Sequence, residues 1–208
     1  MRPASRRALL LAALLSATSG ALAREVAPPL DADAAAALSA VAEGRAVVVM
    51  RHALAPGTSD PAGFDVDDCA TQRNLSDAGR EQARRIGERL AAGLGTRAAD
   101  VHSSAWCRCL ETARLLGLGE VRRLPALDSF FGDRARGPEA TATLEAWIDA
   151  RLASGAEGGT KPPAVLVTHQ VNVTALTGVY PASGEVVVFG LRAGAARPAV
   201  LARLPAED

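Results

Sequence analysis

The sequence is short of residues that hold metals and has no apolar run long enough to span a membrane. Three histidines (His52, His102 and His169) and three cysteines (Cys69, Cys107 and Cys109) are the only soft ligands in 208 residues. Cys107-Arg108-Cys109 is C-x-C rather than C-x-x-C, so no zinc spacing emerges and neither a metal nor a cofactor is expected. Lysine is nearly missing, since 22 of the 23 basic residues are arginine. Basic and acidic residues balance at 23 each, which leaves no excess positive charge to draw nucleic acid or an anionic membrane. An anion site would have to be a local cluster of arginine forks. There is no internal repeat and no sign of a second domain.

What the N-terminus does have is a signal pattern. Arg2, Arg6 and Arg7 precede the apolar run Ala8–Leu15, which is too short to cross a bilayer. Ala21-Leu22-Ala23 fits a small-x-small cleavage site, so residues 1–23 read as a signal peptide and 24–208 as one domain, periplasmic or secreted. Cleavage removes three arginines and no acids, leaving 20 basic against 23 acidic residues, a formal −3. Export places the cysteines where disulfides persist. A bridge from Cys69 to Cys107 or to Cys109 is expected, with the third thiol unpaired.

The mature chain alternates strand and helix patterns. After a lead-in (24–30), the Ala-rich segment 31–43 opens on a capping residue, Asp31, and stops before Gly44. Ala46–Met50 is a continuous β-branched run, as in a parallel strand buried on both faces. A Pro-, Gly- and Asp-rich loop, 53–74, is long enough to suggest function. Ser76 caps a helix with Ala83, Ile86, Leu90, Ala91 and Leu94 at helical spacing. Short strands are expected at 98–102 and 121–124, with a helix between them over 105–116. Residues 125–137 read as loop and 137–152 as helix. Ala164–Thr168 repeats the first strand's character, a short helix leads to Gly178, and 186–191 with 199–204 suggest a closing hairpin. The expected fold is α/β: a three-layer α/β/α sandwich with a mostly parallel central sheet.

Two of the three histidines stand at strand ends. Arg51-His52 closes the first strand and His169 follows Thr168. Ligands of parallel sheets bind beyond the carboxyl ends of the strands. A third strand end carries Ser103-Ser104, with Arg108 just beyond. If these strands are neighbours, two imidazoles and two guanidiniums converge. Arginine forks match phosphate oxygens, and a neutral imidazole attacks phosphorus and later departs, which needs no metal. A carboxyl must still protonate the leaving oxygen.

The local motifs fit the same chemistry. Met50-Arg51-His52-Ala53 resembles the R-H-G/A signature of the histidine phosphatase superfamily. Leu75-Ser76-Asp77-Ala78-Gly79-Arg80-Glu81-Gln82-Ala83 resembles its L-[ST]-x-x-G-x-x-Q-A helix opening. Ser103-Ser104 through Thr112-Ala113 resembles S-S-x-x-x-R-x-x-x-T-A, and Thr168-His169 its late [ST]-H. Together they span residues 46–172 in the family's order.

The resemblance implies a phosphoglycerate mutase-like fold and an exported phosphatase acting on a small phosphorylated substrate, with a catalytically weak phosphate- or phosphosugar-binding member and a phosphomutase as the alternatives. It makes His52 the nucleophile, Arg51 and Arg108 the phosphoryl clamp, and His169 the stabiliser of the transferring oxygens. Arg73 is a further substrate-binding candidate, whereas Arg80 and Gln82 are expected to be structural. Asp128 lies nearest the slot of the family's proton donor, with Asp133 and Glu139 competing for the role. Ala53 stands where glycine is commoner.

Overall fold

A computed structural model describes residues 30–156, 161–191, 194 and 196–206. The expected signal peptide, most of the lead-in and parts of both later connections lie outside the described residues. The elements are α1 (Ala32–Ala42), β1 (Ala46–Arg51), α2 (Asp77–Leu94), β2 (Asp100–Ser103), α3 (Cys107–Leu115), β3 (Val121–Arg123), α4 (Gly137–Ala156), β4 (Ala164–Thr168), α5 (Gln170–Thr177), β5 (Val186–Gly190) and β6 (Ala199–Leu204). They form the expected α/β sandwich.

One six-stranded sheet runs in the order β3-β2-β4-β1-β5-β6. The first four strands are mutually parallel, β5 runs antiparallel to β1, and β6 runs antiparallel to β5. Every residue of β1 from Ala46 to Met50 is buried, because alternate side chains face opposite layers. Val48 and Met50 pack with Leu38, Ile86 and Leu90 beneath α1 and α2. Val47 and Val49 pack with Leu144, Ile148 and Val173 beneath α4 and α5. That two-sided burial is why the strand reads as an unbroken apolar run.

The helix starts follow from their caps. Asp31 Oδ1 accepts the Ala34 N–H at 2.7 Å, and Ser76 Oγ accepts the Gly79 N–H at 3.0 Å. Gly95 ends α2 at φ +66°, a left-handed position that costs glycine nothing. The structure departs from the sequence expectation at element edges. The strand expected from Ala98 begins at Asp100, α4 runs on to Ala156, and the loop 125–137 holds two 3₁₀ turns, Pro125–Leu127 and Arg134–Arg136. Among the described residues no helix is long and apolar enough to cross a membrane.

Candidate active site

Strand pairing brings the two histidines together. β1 and β4 are neighbours, with Met50 opposite Val167 and Arg51 opposite Thr168. The His52 N–H donates to the Thr168 carbonyl at 2.9 Å, and the His52 and His169 ring centroids lie 5.7 Å apart. β2 flanks β4 on its other side, and the Ser104 N–H donates to the Val167 carbonyl at 3.1 Å. Three strand ends therefore meet at one edge.

The opening of α2 fixes the chain just after His52. Leu54 donates its N–H to Gln82 Oε1 at 2.9 Å, and its carbonyl accepts the Ser76 N–H at 3.1 Å. A Cβ on Gly79 would stand 2.0 Å from that same carbonyl oxygen, so only glycine lets the helix approach this closely. The serine, glycine and glutamine of the helix-opening motif thus all act on one residue. Ala53 is fully buried with Ala55, Leu75 and Ala83, so its methyl fills apolar space. Its N–H donates to Thr112 Oγ1 at 3.0 Å, and that hydroxyl donates to the Arg108 carbonyl at 2.7 Å. The threonine ties the residue after His52 to the helix that carries Arg108.

The tautomers follow from the partners. His52 Nδ1 lies 2.8 Å from the Ala53 carbonyl, which can only accept, so Nδ1 carries the proton and Nε2 keeps its lone pair. Burial, with Arg108, Arg51 and Arg73 adding repulsion, holds the His52 pKa well below its ordinary value. Burial and then the Arg108 charge do the same to His169. Both rings are neutral near pH 7. His169 Nδ1 faces the Arg108 guanidinium, which can only donate, so the proton rests on Nε2 and is donated to Ser104 Oγ at 2.8 Å; because that hydroxyl can also donate, the tautomer can switch when Arg108 turns to a ligand.

Three arginines surround the pair. Arg51 donates to the Pro181 carbonyl at 3.1 Å. Arg108 is buried, with Nη2 3.4 Å from His169 Nδ1. Arg73 reaches in from the long loop, donates to the Ala55 carbonyl and is pulled down to about 10 by burial and the Arg108 charge. The Nε atoms of Arg51, Arg73 and Arg108 are all buried without a hydrogen-bond partner among the described residues. Unpaired buried donors of this kind are costly unless a ligand takes them up.

The structure assembles His52, His169, Arg51, Arg108 and Arg73 around one cavity of about 710 Å³. Asp128 is the departure. It does not line that cavity. Its carboxylate accepts the Ala105 N–H at 2.7 Å, and its carbonyl accepts from Asn172 at 2.9 Å. It braces the entry to α3 instead. Glu139, in the first turn of α4, does not line the cavity either. Asp133 does, and so does Asp60.

Asp60 was not singled out by sequence. One of its oxygens accepts from Arg108 Nη1 at 2.7 Å and from the Arg73 N–H at 3.0 Å, and the other from the Trp106 indole at 3.1 Å. Burial alone would raise its pKa, but the Arg108 hydrogen bond and charge, with the Arg73 and Trp106 donors, hold it below the usual carboxylate range. It stands in a loop with Asp65, Asp67 and Asp68, and nothing local distinguishes it from them.

The cysteine pairing left open by the sequence is Cys69–Cys107, and Cys109 is a free, buried thiol. The bridge joins the long loop to the first turn of α3, next to Arg108.

The family model of the histidine phosphatase superfamily (branch 1) matches residues 47–172. The fold is similar to that of the protein histidine phosphatase SixA complexed with tungstate, at 20% identity and a TM-score of 0.50 over 77% of this chain and 96% of that one. It is similar to mycobacterial hydrolase 1, at 19% identity and 0.54 over 75% and 96%. It also resembles a mycobacterial glucosyl-3-phosphoglycerate phosphatase complexed with VO3, at 20% identity and 0.51 over 70% and 92%. At these identities the likeness is one of fold. No curated protein sequence matches the chain.

Proposed function

The chain belongs to the histidine phosphatase superfamily, branch 1, and from that premise we propose that it hydrolyses small phosphomonoesters in two steps through a phosphohistidine on His52. The observation that carries this reading is the neutral His52 with a free Nε2, set among three guanidiniums whose buried Nε donors lack partners. Three positive charges and the one negative charge of Asp60 leave a net +2 in the pocket, which a phosphoryl dianion balances.

In the first step His52 Nε2 attacks phosphorus and the ester P–O bond breaks. Arg51, Arg73 and Arg108 hold the equatorial oxygens, and His169 donates to one of them. Groups aimed at developing charge in this way are each worth ~10²–10³ in rate. The leaving oxygen takes a proton, and we assign it to Asp60. When phosphoryl oxygens take over Arg108, Asp60 loses the largest of the contacts that depress its pKa, while burial, which raises it, remains, so its pKa rises. A carboxyl raised in this way supplies the proton that the leaving oxygen takes. In the second step water attacks phosphorus, its proton passes to the Asp60 carboxylate, and the P–N bond breaks to release inorganic phosphate and neutral His52. Protein groups hold every charge, so the reaction proceeds in excess chelator. Residues 1–23 serve as the export signal, so the mature enzyme begins at Arg24 and works in the periplasm or outside the cell.

The test is brief incubation of mature protein with ³²P-labelled phosphoester. Acid-labile, base-stable label is expected on wild type and absent from His52→Ala, with inorganic phosphate rather than an isomerised ester as product. Label that persists in His52→Ala would overturn the mechanism.

A further inference from the structure

The protein is poor in aromatic residues, with four phenylalanines, two tryptophans and one tyrosine. Phe64, Trp106, Phe131 and Tyr180 all line the cavity that holds His52, so more than half of the aromatic residues serve one opening. Packing accounts for the inner two. Trp106 stands edge-on to His169 at 5.2 Å and meets Phe64 at 5.9 Å. Packing does not account for the outer two, since Phe131 is 46% exposed and Tyr180 73% exposed. Large apolar side chains left in water at the mouth of a pocket mark a binding surface.

Their surroundings narrow what they bind. The Arg134 guanidinium lies over the Phe131 ring at 5.1 Å, which engages one face and leaves the other for a ligand. Tyr180 immediately precedes Pro181, whose carbonyl holds Arg51 at 3.1 Å, so this ring is tied to the phosphoryl clamp. Asp133 and Arg136 line the same outer space. The cavity, at about 710 Å³, falls within the ~300–1,000 Å³ of sites that take whole small molecules.

Resting on the phosphohistidine reading above, we infer that the substrate's leaving group is a ring whose open face stacks on Phe131 and Tyr180, with polar substituents at its edge meeting Arg136 and Asp133. Sugars and heteroaromatic bases both offer such a face. Short acyclic alcohols and the side chain of a phosphoserine do not reach it.

The experiment compares kcat/KM of mature wild type on glucose 6-phosphate, a purine nucleoside 5′-monophosphate, glycerol 3-phosphate and a phosphoserine peptide. At least one ring-bearing ester is expected to exceed both acyclic substrates by about tenfold or more, and the better of the two ring types identifies the source of the ring. Phe131→Ala and Tyr180→Ala should each shrink that preference about tenfold, mainly through KM, the change that ~1.4 kcal/mol of lost contact produces. Phe131→Tyr should retain it. Equal kcat/KM across the four substrates, a preference for the peptide, or equal losses on ring and acyclic esters in the alanine variants overturns the inference. Thermal melting and His52 labelling of each variant separate misfolding from lost selectivity. If no ester labels His52, the phosphohistidine reading fails. If glycerol 3-phosphate labels it as efficiently as the ring esters, only the ring inference does.

Discussion

Asp60 Oδ1 lies 2.7 Å from Arg108 Nη1, so a carboxylate of the long loop occupies a donor of the proposed phosphoryl clamp. Both side chains are nearly excluded from solvent, at 9% and 5% exposure, where charges are weakly screened. The contact presets the guanidinium and competes with substrate for it. Replacing Asp60 with asparagine removes a competing negative charge. Orthovanadate and inorganic phosphate should then bind about tenfold more tightly, while turnover of an alkyl phosphate falls. A merely structural role for Asp60 predicts weaker binding of both anions. Inhibition constants decide the matter.

The proton donor can be read from the leaving group. A nitrophenolate departs with little help, whereas an alkoxide needs a proton in the transition state. Asp60→Asn should slow glycerol 3-phosphate by roughly a hundredfold or more and p-nitrophenyl phosphate far less. Asp128→Asn weakens the cap on Ala105 and should affect both substrates alike through stability. If Asp133→Asn shows the leaving-group split and Asp60→Asn does not, Asp133 is the donor.

The histidines carry a pH signature. Burial holds His52 and His169 well below 6.5 in the folded protein, so the unfolded chain binds more protons than the native state as pH drops. Stability from these two groups is complete above about 6.5 and is lost as pH falls toward their native values. Imidazole resonances of both should stay at neutral positions between pH 8 and 6 in NMR titrations. Protonation of either at pH 6.5 in the free enzyme contradicts this.

The disulfide makes two testable claims. In the chain-entropy account, a bridge spanning 38 residues is worth about 4 kcal/mol, so Cys69→Ser should lower the denaturant-derived stability by up to that amount. It should also raise KM, because the freed loop carries Asp60 and Arg73. Burial pushes the Cys109 thiol up to about 12, so it should resist iodoacetamide at pH 8 until the protein is unfolded. Non-reducing peptide mapping that joins Cys69 to Cys109, or finds three free thiols, contradicts the pairing.

Most of the sheet was legible because two-sided burial leaves a plain mark. Ala164–Thr168, buried along its length, has the bounds its composition suggested; the half-exposed edge strand Ala199–Leu204 does too, and α2 starts at its serine cap and stops at its glycine. Histidines at strand ends and arginines in motifs pointed to the side chains that the structure brings around one cavity. The loop contributions were hidden. Asp60 becomes special only when the chain folds back onto Arg108, 48 residues later. Asp128 sits where a strand-end carboxyl was expected, yet the turn Pro125–Leu127 directs it to the backbone of Ala105. Phe131 and Tyr180 follow no periodicity, since they belong to no helix or strand.

The pairing of Arg51 with Thr168 in adjacent parallel strands also separates two kinds of inheritance. A one-residue slip in either strand would turn its whole apolar set to the other face, so the spacing of His52 and His169 is locked to the stability of the fold. The residues at 57–59 and 61–64, on either side of the Asp60 that holds Arg108, together with 129–136 and Tyr180, bear no such constraint. They can be exchanged, lengthened or recoloured with new side chains while the sheet keeps its histidines in place. Under the proposed phosphohistidine mechanism, retargeting is therefore a matter of grafting loops, and a library confined to those positions, with Asp60 kept, should alter substrate preference while His52 still takes up label.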